Sequence, residues 1–550
     1  MHRCLLISEI LCNILEFTQQ YEESPSDDEC KEGRKLRNQT LVSLAQTCHA
    51  FSSLALDQLW MRLESLSPLI KLLPGNIWKN PSCYAMTLVR VFWIRERESR
   101  FHQYAARVRS LRGPGHDRDI PPWFQRSVVT ALAQTCQISL PLLPNLTELV
   151  WDESFVAFES SMTVSLVKFL AGPRLTNLSL LLQYLPMTSA RHALYNLPYH
   201  CQNVTSFTII LRADFPKPDA IARYTTDVVG KWPRLQVLKS NPFFPGVAEL
   251  LASKPSVHTL NLDVDQYSAV CNVGKLPDSI DTLILVANNI RSCLGCLKTI
   301  QGSLVRVHLQ IYPWLLHPSD MGAIFQTLPA QLAITQLRFL TIELTFKYNL
   351  PAARRHLASL TEPSLASLNS FSALHTLDLS SFCTSDLNDA VYARMAATWP
   401  ELRCLKMGTA DISNGKPVAS VGAVIAVLRF CLRLQTLHIV FDGSIPPPCP
   451  TTNDEESGVS VERVEEGKEE QEMVGQVNRW GVSNAHITQI HIGHSPTGWG
   501  VDELKGLATC LRSVMPRLGT IQSKKEPSAV AERWRMVQHM LVGGDLEVGT

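Results

Sequence analysis

One phrase recurs along this chain and limits what the chain can fold into: aliphatic, two variable residues, leucine or a substitute, one variable residue, aliphatic. Copies start at Leu146, Leu175, Val204, Leu235, Val257, Ile280, Leu304, Leu337, Leu374, Leu402, Leu434 and Ile487. They recur at intervals of about 22 to 37 residues, apart from one long gap before the last. A unit that short cannot bury an apolar face by itself, so a repeat of this period predicts a solenoid in which each unit covers the next. With 550 residues, the chain is also too long for one ordinary core unless that core is elongated or divided.

The alternating end of each phrase predicts a short strand with one buried face. Amphipathic stretches follow several copies, at 164–170, 247–251, 321–328, 387–397, 421–432 and 504–514. Several stop beside a proline, as at Trp232-Pro233 and Trp399-Pro400, where a helix is expected to end. Strand, helix and turn at this length imply parallel strands on one side and helices on the other, an α/β solenoid. The variable position inside each strand points away from the buried leucines. That column reads Ser179, Thr208, Lys239, Asn261, Ile284, His308, Thr341, Asp378, Lys406, His438 and His491. It is mostly polar and mixed in sign. Lys239, Asn261, His308, Asp378, Lys406 and His438 are the expected substrate-binding residues, and their mixed charges favour a protein epitope over nucleic acid. Its histidines predict binding that changes between about pH 6 and 7.

The repeat resembles a divergent leucine-rich repeat. The copy Ile280-x-x-Leu283-x-Leu285-x-x-Asn288-x-Ile290 carries that family's full phrase. The resemblance implies that Asn288 satisfies backbone groups where the chain leaves the strand. Elsewhere the place holds Asp265, Phe382, Ala410 or Asp442, so an irregular horseshoe is expected, with strands on its concave face and helices on its convex face.

A second phrase precedes the repeats. It opens Leu6-Ile7-Ser8-Glu9-Ile10-Leu11 with Ile14, and resumes with Leu41, Leu44, Ala45, Thr47, Cys48, His49, Phe51, Leu59 and Trp60. Ser8 is a natural N-cap, and the apolar spacing predicts three short helices with more apolar surface than a closed core of that size needs. These residues resemble an F-box, the motif that joins a substrate receptor to a Skp-type adaptor and through it to cullin. Ile7 stands where the family usually has proline. The resemblance implies that Leu6, Ile7, Glu9, Ile10, Leu11, Ile14, Leu41, Leu44 and Trp60 bind the adaptor.

The resulting domain plan is an F-box over residues 1–62, a joining and capping segment over 63–140, divergent repeats over 141–520, and a C-terminal capping helix and tail over 521–550. The polar run between Tyr21 and Lys35 is expected to loop out over about 21–37. A second acidic loop is expected over about 446–476. In the last segment Val530, Trp534, Val537 and Leu541 mark the apolar stripe of the capping helix.

Composition narrows the classes of partner. A net charge of +1 provides no basic field for nucleic acid. The longest apolar run, near 418–428, is far shorter than a membrane span. Most of the fifteen cysteines lie in apolar periodic segments with no convincing signal peptide before them, which predicts reduced thiols in the cytoplasm or nucleus.

Two strings carry a hint of chemistry. Strand 490–492 followed by Gly493-His494-Ser495 is similar to a hydrolase nucleophile elbow. The elbow needs glycine two residues after serine, but Thr497 stands there, and Pro496 removes a backbone N–H that an oxyanion hole would use. Cys293 and Cys296 have the spacing of half a zinc site without a second pair, which favours packed thiols. The expectation is a non-enzymatic substrate receptor of a cullin-type ubiquitin ligase, without cofactor or metal. The alternative is a repeat scaffold independent of ligase assembly.

Overall fold

A computed structural model describes residues 27–72, 100–113, 141–152, 167, 169–182, 187–211, 218–241, 247–264, 273–312, 318–345, 359–408, 416–445, 481–498, 500–523 and 529–542. The chain divides into two compact units, Met1–Val257 and His258–Thr550.

Among the described residues, the first unit opens with two helices, α1 (Asp27–Thr47) and α2 (His49–Met61). The polar run expected to loop out is therefore helical from Asp27 onward. Its sequence explains the difference: Asp27, Asp28 and Glu29 fall in the first turn, where the helix dipole favours acids, and Glu, Lys and Arg have high helix propensity. Short helices α3 (Ser67–Ile70) and α4 (Arg100–Ala105) follow, then α5 (Met187–His200), α6 (Pro218–Lys231) and α7 (Val247–Ala252). The strands are β1 (Arg62–Leu63), β2 (Ser110–Gly113), β3 (Glu148–Asp152), β4 (Asn177–Leu182), β5 (Ser206–Leu211) and β6 (Val237–Asn241). They pair in parallel and in chain order. Two of them, β1 and β2, come from outside the twelve phrases.

The joints of this unit are built from threonine. The carbonyl of Arg109 accepts the N–H groups of Thr147 and Glu148, that of Thr147 accepts from Thr176 and Asn177, and that of Thr176 accepts from Thr205 and Ser206. At each step the threonine hydroxyl donates to the same carbonyl, at 3.0 Å, 3.1 Å and 3.3 Å. Asn145 and Asn203 add side-chain bonds to the carbonyls of Ala106 and Pro173 in the preceding unit. Each bond satisfies a polar group that a stack of short units would otherwise leave unpaired.

The second unit contains β7 (Thr259–Val264), β8 (Thr282–Ala287), β9 (Arg306–Ile311), β10 (Phe339–Leu344), β11 (Thr376–Leu379), β12 (Cys404–Met407), β13 (Thr436–His438), β14 (Gln489–Gly493) and β15 (Thr520–Ser523). These too are parallel and in chain order. The helices are α8 (Ile290–Leu297), α9 (Pro318–Gln331), α10 (Glu362–Ala366), α11 (Asp389–Thr398), α12 (Val421–Phe430), α13 (Val501–Val514) and α14 (Ala529–Leu541). The strands alternate buried and half-buried positions, so Leu260, Leu283, Val307, Leu340, Leu377, Leu405, Leu437 and Ile490 form one inner ladder across eight strands. Strand β12 stops at Met407 because Gly408 turns at φ 70°, where a side chain would strike Thr384.

Serine does in this unit part of what asparagine does in the family phrase. The Ser381 hydroxyl accepts from Leu344 N and donates to Ile342 O. Ser495 repeats the device, accepting from Phe441 N and donating to Ile492 O. At the copy with the full phrase, Asn289 rather than Asn288 supplies a side-chain cap, accepting from Ser292 N at 2.8 Å at the start of α8. Of the other places in that series, Phe382 and Asp442 are fully buried, while Asp265 and Ala410 lie outside the described residues.

Tryptophans provide a second tie between repeats. The helices α6 and α11 do end beside Trp232 and Trp399, as their prolines imply. Trp232 Nε1 donates to Cys201 O at 2.7 Å, Trp399 Nε1 to Leu368 O at 3.4 Å, and Trp534 Nε1 to Ser495 O at 2.7 Å. Each indole thus fills the space between units and satisfies a carbonyl of the unit before it. At the C-terminal end the array includes one more strand than the phrases number, because Thr520–Ser523 pairs with β14. Helix α14 then packs through Ala531, Trp534, Val537 and Leu541; Val530 is only half-buried, so the stripe is shifted by one residue at its start.

Candidate recognition surface

Most of the predicted polar column is in register. In the first unit Arg112, Val150, Ser179, Thr208 and Lys239 are successive partners across β2 to β6. In the second, Asn261, Ile284, His308, Thr341, Asp378, Lys406, His438, His491 and Gln522 are partners across β7 to β15. Lys239 belongs to the first unit, next to Thr208; the other five expected residues belong to the second. Gln522, on the fifteenth strand, extends the column by one place that the sequence phrase did not mark.

Three of the expected residues meet in one cluster. Lys406 Nζ lies 3.0 Å from Asp378 Oδ2, and both side chains are partly covered. Asp378 Oδ1 also accepts from the Ser380 amide and hydroxyl, which fixes its rotamer. One strand further, His438 stacks on His491 with ring centroids 4.9 Å apart. Burial, then the neighbouring His491 and Lys406, push the His438 pKa down to about 4 against a partial opposing pull from Asp378. Burial lowers His491 in the same direction. The His438 ring is therefore neutral between about pH 6 and 7, and the expected pH dependence in that range does not come from it. Burial lowers the pKa of Lys406, but its bond to Asp378 outweighs that and raises it, so the lysine stays charged.

The remaining expected residues are more dispersed. His308 Nε2 lies 3.5 Å from Glu343 Oε2 on the next strand, and Asn261 faces Ile284. Asn261 Oδ1 and His491 Nδ1 are buried without a hydrogen-bond partner among the described residues. Such atoms carry a desolvation cost that an incoming polar group can relieve. The column can thus offer an ion pair, a stacked ring platform and buried polar atoms without hydrogen-bond partners among the described residues.

The expected adaptor residues divide differently. Leu6, Ile7, Glu9, Ile10, Leu11 and Ile14 lie outside the described residues. Leu41 is buried against Ala55, with Leu44, Ala45, Phe51, Leu54 and Leu59 only partly buried around them. The Trp60 and Tyr104 rings meet tilted at 4.5 Å, and Arg107 pairs with Asp57, so α2 is tied to α4 and the turn after it as well as to α1. Leu36 and Val42 of α1 are exposed.

The two chemical strings are structural. Ser495 is fully buried, and its hydroxyl holds the joint between β14 and the preceding repeat. Cys293 and Cys296 are buried in α8, and burial pushes the Cys293 thiol up to about 12. Among the described residues no group of three or more His, Cys, Asp or Glu is placed to hold a metal ion, and no disulfide links the cysteines. No helix among the described residues is long and apolar enough to cross a membrane.

No family model matches the chain, and no curated protein matches it in sequence. Several solved structures are similar to it, among them the following three. An internalin from Listeria monocytogenes is 11% identical, covering 86% of this chain and 95% of that one, with a TM-score of 0.28. The leucine-rich repeat-containing protein LegL7 from Legionella pneumophila is 13% identical over 71% of this chain and 97% of that one, also at 0.28. A chain of the Rad7 and Elc1 complex in yeast is 14% identical over 54% of this chain and 76% of that one, at 0.24.

Proposed function

We propose that this protein is a non-enzymatic substrate receptor of a cullin-type ubiquitin ligase. The N-terminal helices bind a Skp-type adaptor, and the polar sheet column holds a protein target. The observation that carries this reading is the F-box-like phrase from Leu41 to Trp60. It forms a helical hairpin whose central pair, Leu41 and Ala55, is buried while the apolar residues around it stay half-covered. Such a hairpin has apolar area to give to a partner. The column supports the second half of the reading, because it presents polar groups in register with unsatisfied atoms among them. Unlinked thiols are in keeping with a cytoplasmic or nuclear protein.

Recovery of adaptor and cullin with the tagged protein from cells tests the assignment. Ile10→Asp with Leu11→Asp is expected to weaken adaptor binding by at least about a hundredfold, since each buried aliphatic side chain contributes roughly 1.5–3 kcal/mol. If the unmodified protein recovers neither adaptor nor cullin, the ligase reading falls and the repeat scaffold remains.

A further inference from the structure

Beside the column, at the ends where the strands of the second unit begin, lies a strip of cations. Arg306 opens β9, Arg338 precedes β10, His375 precedes β11 and Arg403 precedes β12. The strip is held together through the backbone. Arg338 N donates to Val305 O, His375 N to Arg338 O, and Arg403 N to His375 O, so the three positions are stacked one strand apart. It is also held through the rings. The Arg306 guanidinium sits 4.4 Å from the Phe339 ring centroid, and Phe339 meets His375 edge to face at 6.0 Å. Arg306, Arg338 and Arg403 are exposed and have no carboxylate ion-pair partner among the described residues. The neighbouring Arg433 is already paired with Glu401. Asp281, one strand before, and the uncharged Gln435, one strand after, bound the strip. The His375 ring senses the surplus: burial, then Arg403 and Arg338, lower its pKa, Glu401 opposing and Arg433 adding.

Arg338 and Arg403 flank His375 in one row and Arg306 sits one residue further along β9, so three arginines on four successive strands make a local concentration of charge on a chain of net charge +1. The spacing specifies what complements them. Neighbouring strands lie about 4.8 Å apart, so the three steps from β9 to β12 span about 14 Å. An extended peptide rises about 3.3 Å per residue, so acidic residues at i, i+2 and i+4 span about 13 Å on one side of it. We propose that the Arg306–Arg338–Arg403 strip is a docking site for an extended segment of the partner protein carrying carboxylates at alternate positions. This proposal rests on the reading that the sheet holds a protein target, and it names the chemistry of one part of that target. Arginine suits the role because its planar fork can take a carboxylate with two hydrogen bonds.

The test uses the purified full chain and a fluorescent peptide, Gly-Glu-Ser-Glu-Ser-Glu-Gly, without adaptor or cullin present, so that its outcome is independent of ligase assembly. Binding should weaken at least tenfold in Arg338→Ala/Arg403→Ala and recover in part in Arg338→Lys/Arg403→Lys. A peptide of the same composition with its three glutamates contiguous should bind more weakly. The His375 ring, followed by NMR, should titrate at higher pH with the peptide bound than without it, because carboxylates offset the arginines. Both replaced residues are exposed, and circular dichroism would verify the fold of each variant. Unchanged peptide affinity in the alanine variant would overturn the proposal. So would tighter binding of a single-stranded oligonucleotide that depends on the same arginines, since that would make the strip a nucleic-acid site.

Discussion

The N-terminal hairpin and the strand array of the second unit are both rich in leucine, but they treat it differently. In the array each repeat supplies a residue to the inner ladder, and Leu260, Leu283, Val307, Leu340, Leu377 and Leu405 are all at most 3% exposed. In the hairpin, among the described residues, only Leu41 and Ala55 reach that level, while Leu36 is 67% and Val42 41% exposed. The array closes its own core because every unit has a neighbour on which to stack, whereas among the described residues the hairpin core is one helix set against another. A region that completes its core internally is free to vary its outer face. The hairpin's half-covered apolar residues are the area that the proposed adaptor would cover.

Two tryptophans give the sharpest way to break this contrast. Trp399 is buried in the array and its indole N–H reaches Leu368 O. Trp399→Ala is expected to destabilise the second unit by about 3–5 kcal/mol, from lost burial and the cavity left behind. Trp60 is half-buried at the end of the hairpin and its ring meets that of Tyr104 at a tilt. Trp60→Ala is expected to cost about 0.5–1.5 kcal/mol, the size of an aromatic pair, plus a small area term. Urea unfolding of the two variants measures both. Equal losses would show that the hairpin is as self-contained as the array, and would remove the argument for a partner on it.

A smaller effect comes from the joints. Thr176 donates its hydroxyl to Thr147 O, a carbonyl that two backbone N–H groups already use. Thr176→Val keeps the shape and removes that third bond, so a loss of about 1 kcal/mol is expected by thermal or urea unfolding. A loss near zero would mean that the backbone bonds alone hold the stack, and that the threonines merely tolerate their positions.

Much of this architecture is visible in the sequence because strand alternation and repeat period are both local. All twelve phrases are strands, and Trp232 and Trp399 mark helix ends as their prolines imply. What escaped has identifiable causes. In β2 and β15 the third aliphatic place is held by Gly113 and Ser523, so the phrase loses its last member while the backbone still pairs. The α1 segment was masked by its polarity, since hydrophobic periodicity is silent about a helix that exposes most of its sides. In the column, alternation identifies which residues share a face but not their rotamers, so the Lys406–Asp378 pair and the stacked His438 and His491 needed coordinates. Arg338 and Arg403 lie one place before the alternating strand and Arg306 at its first residue, where neither periodicity nor composition fixes exposure.

That stacked pair supplies the subtlest comparison, between a histidine held in the sheet and one in an unfolded chain. An unfolded histidine has a pKa near 6.5, whereas burial, His491 and Lys406 hold His438 at about 4 in the fold. As pH falls below about 6.5 the unfolded chain takes up a proton that the folded chain refuses. Stability associated with His438 is thus complete above that pH, declines as pH falls toward 4, and declines no further below it. His491 acts in the same direction. Because the His438 ring is partly exposed, solvent reduces the effect below what the full shift would imply. His438→Gln is expected to flatten the fall in stability between about pH 6.5 and 4 relative to the unmodified chain, and to leave the profile between pH 7 and 8 unchanged. Urea midpoints measured across that range for both proteins provide the difference directly. Parallel profiles would mean that His438 titrates in the fold as it does in the unfolded chain, and the ring would then be an ordinary exposed histidine able to switch charge near neutral pH.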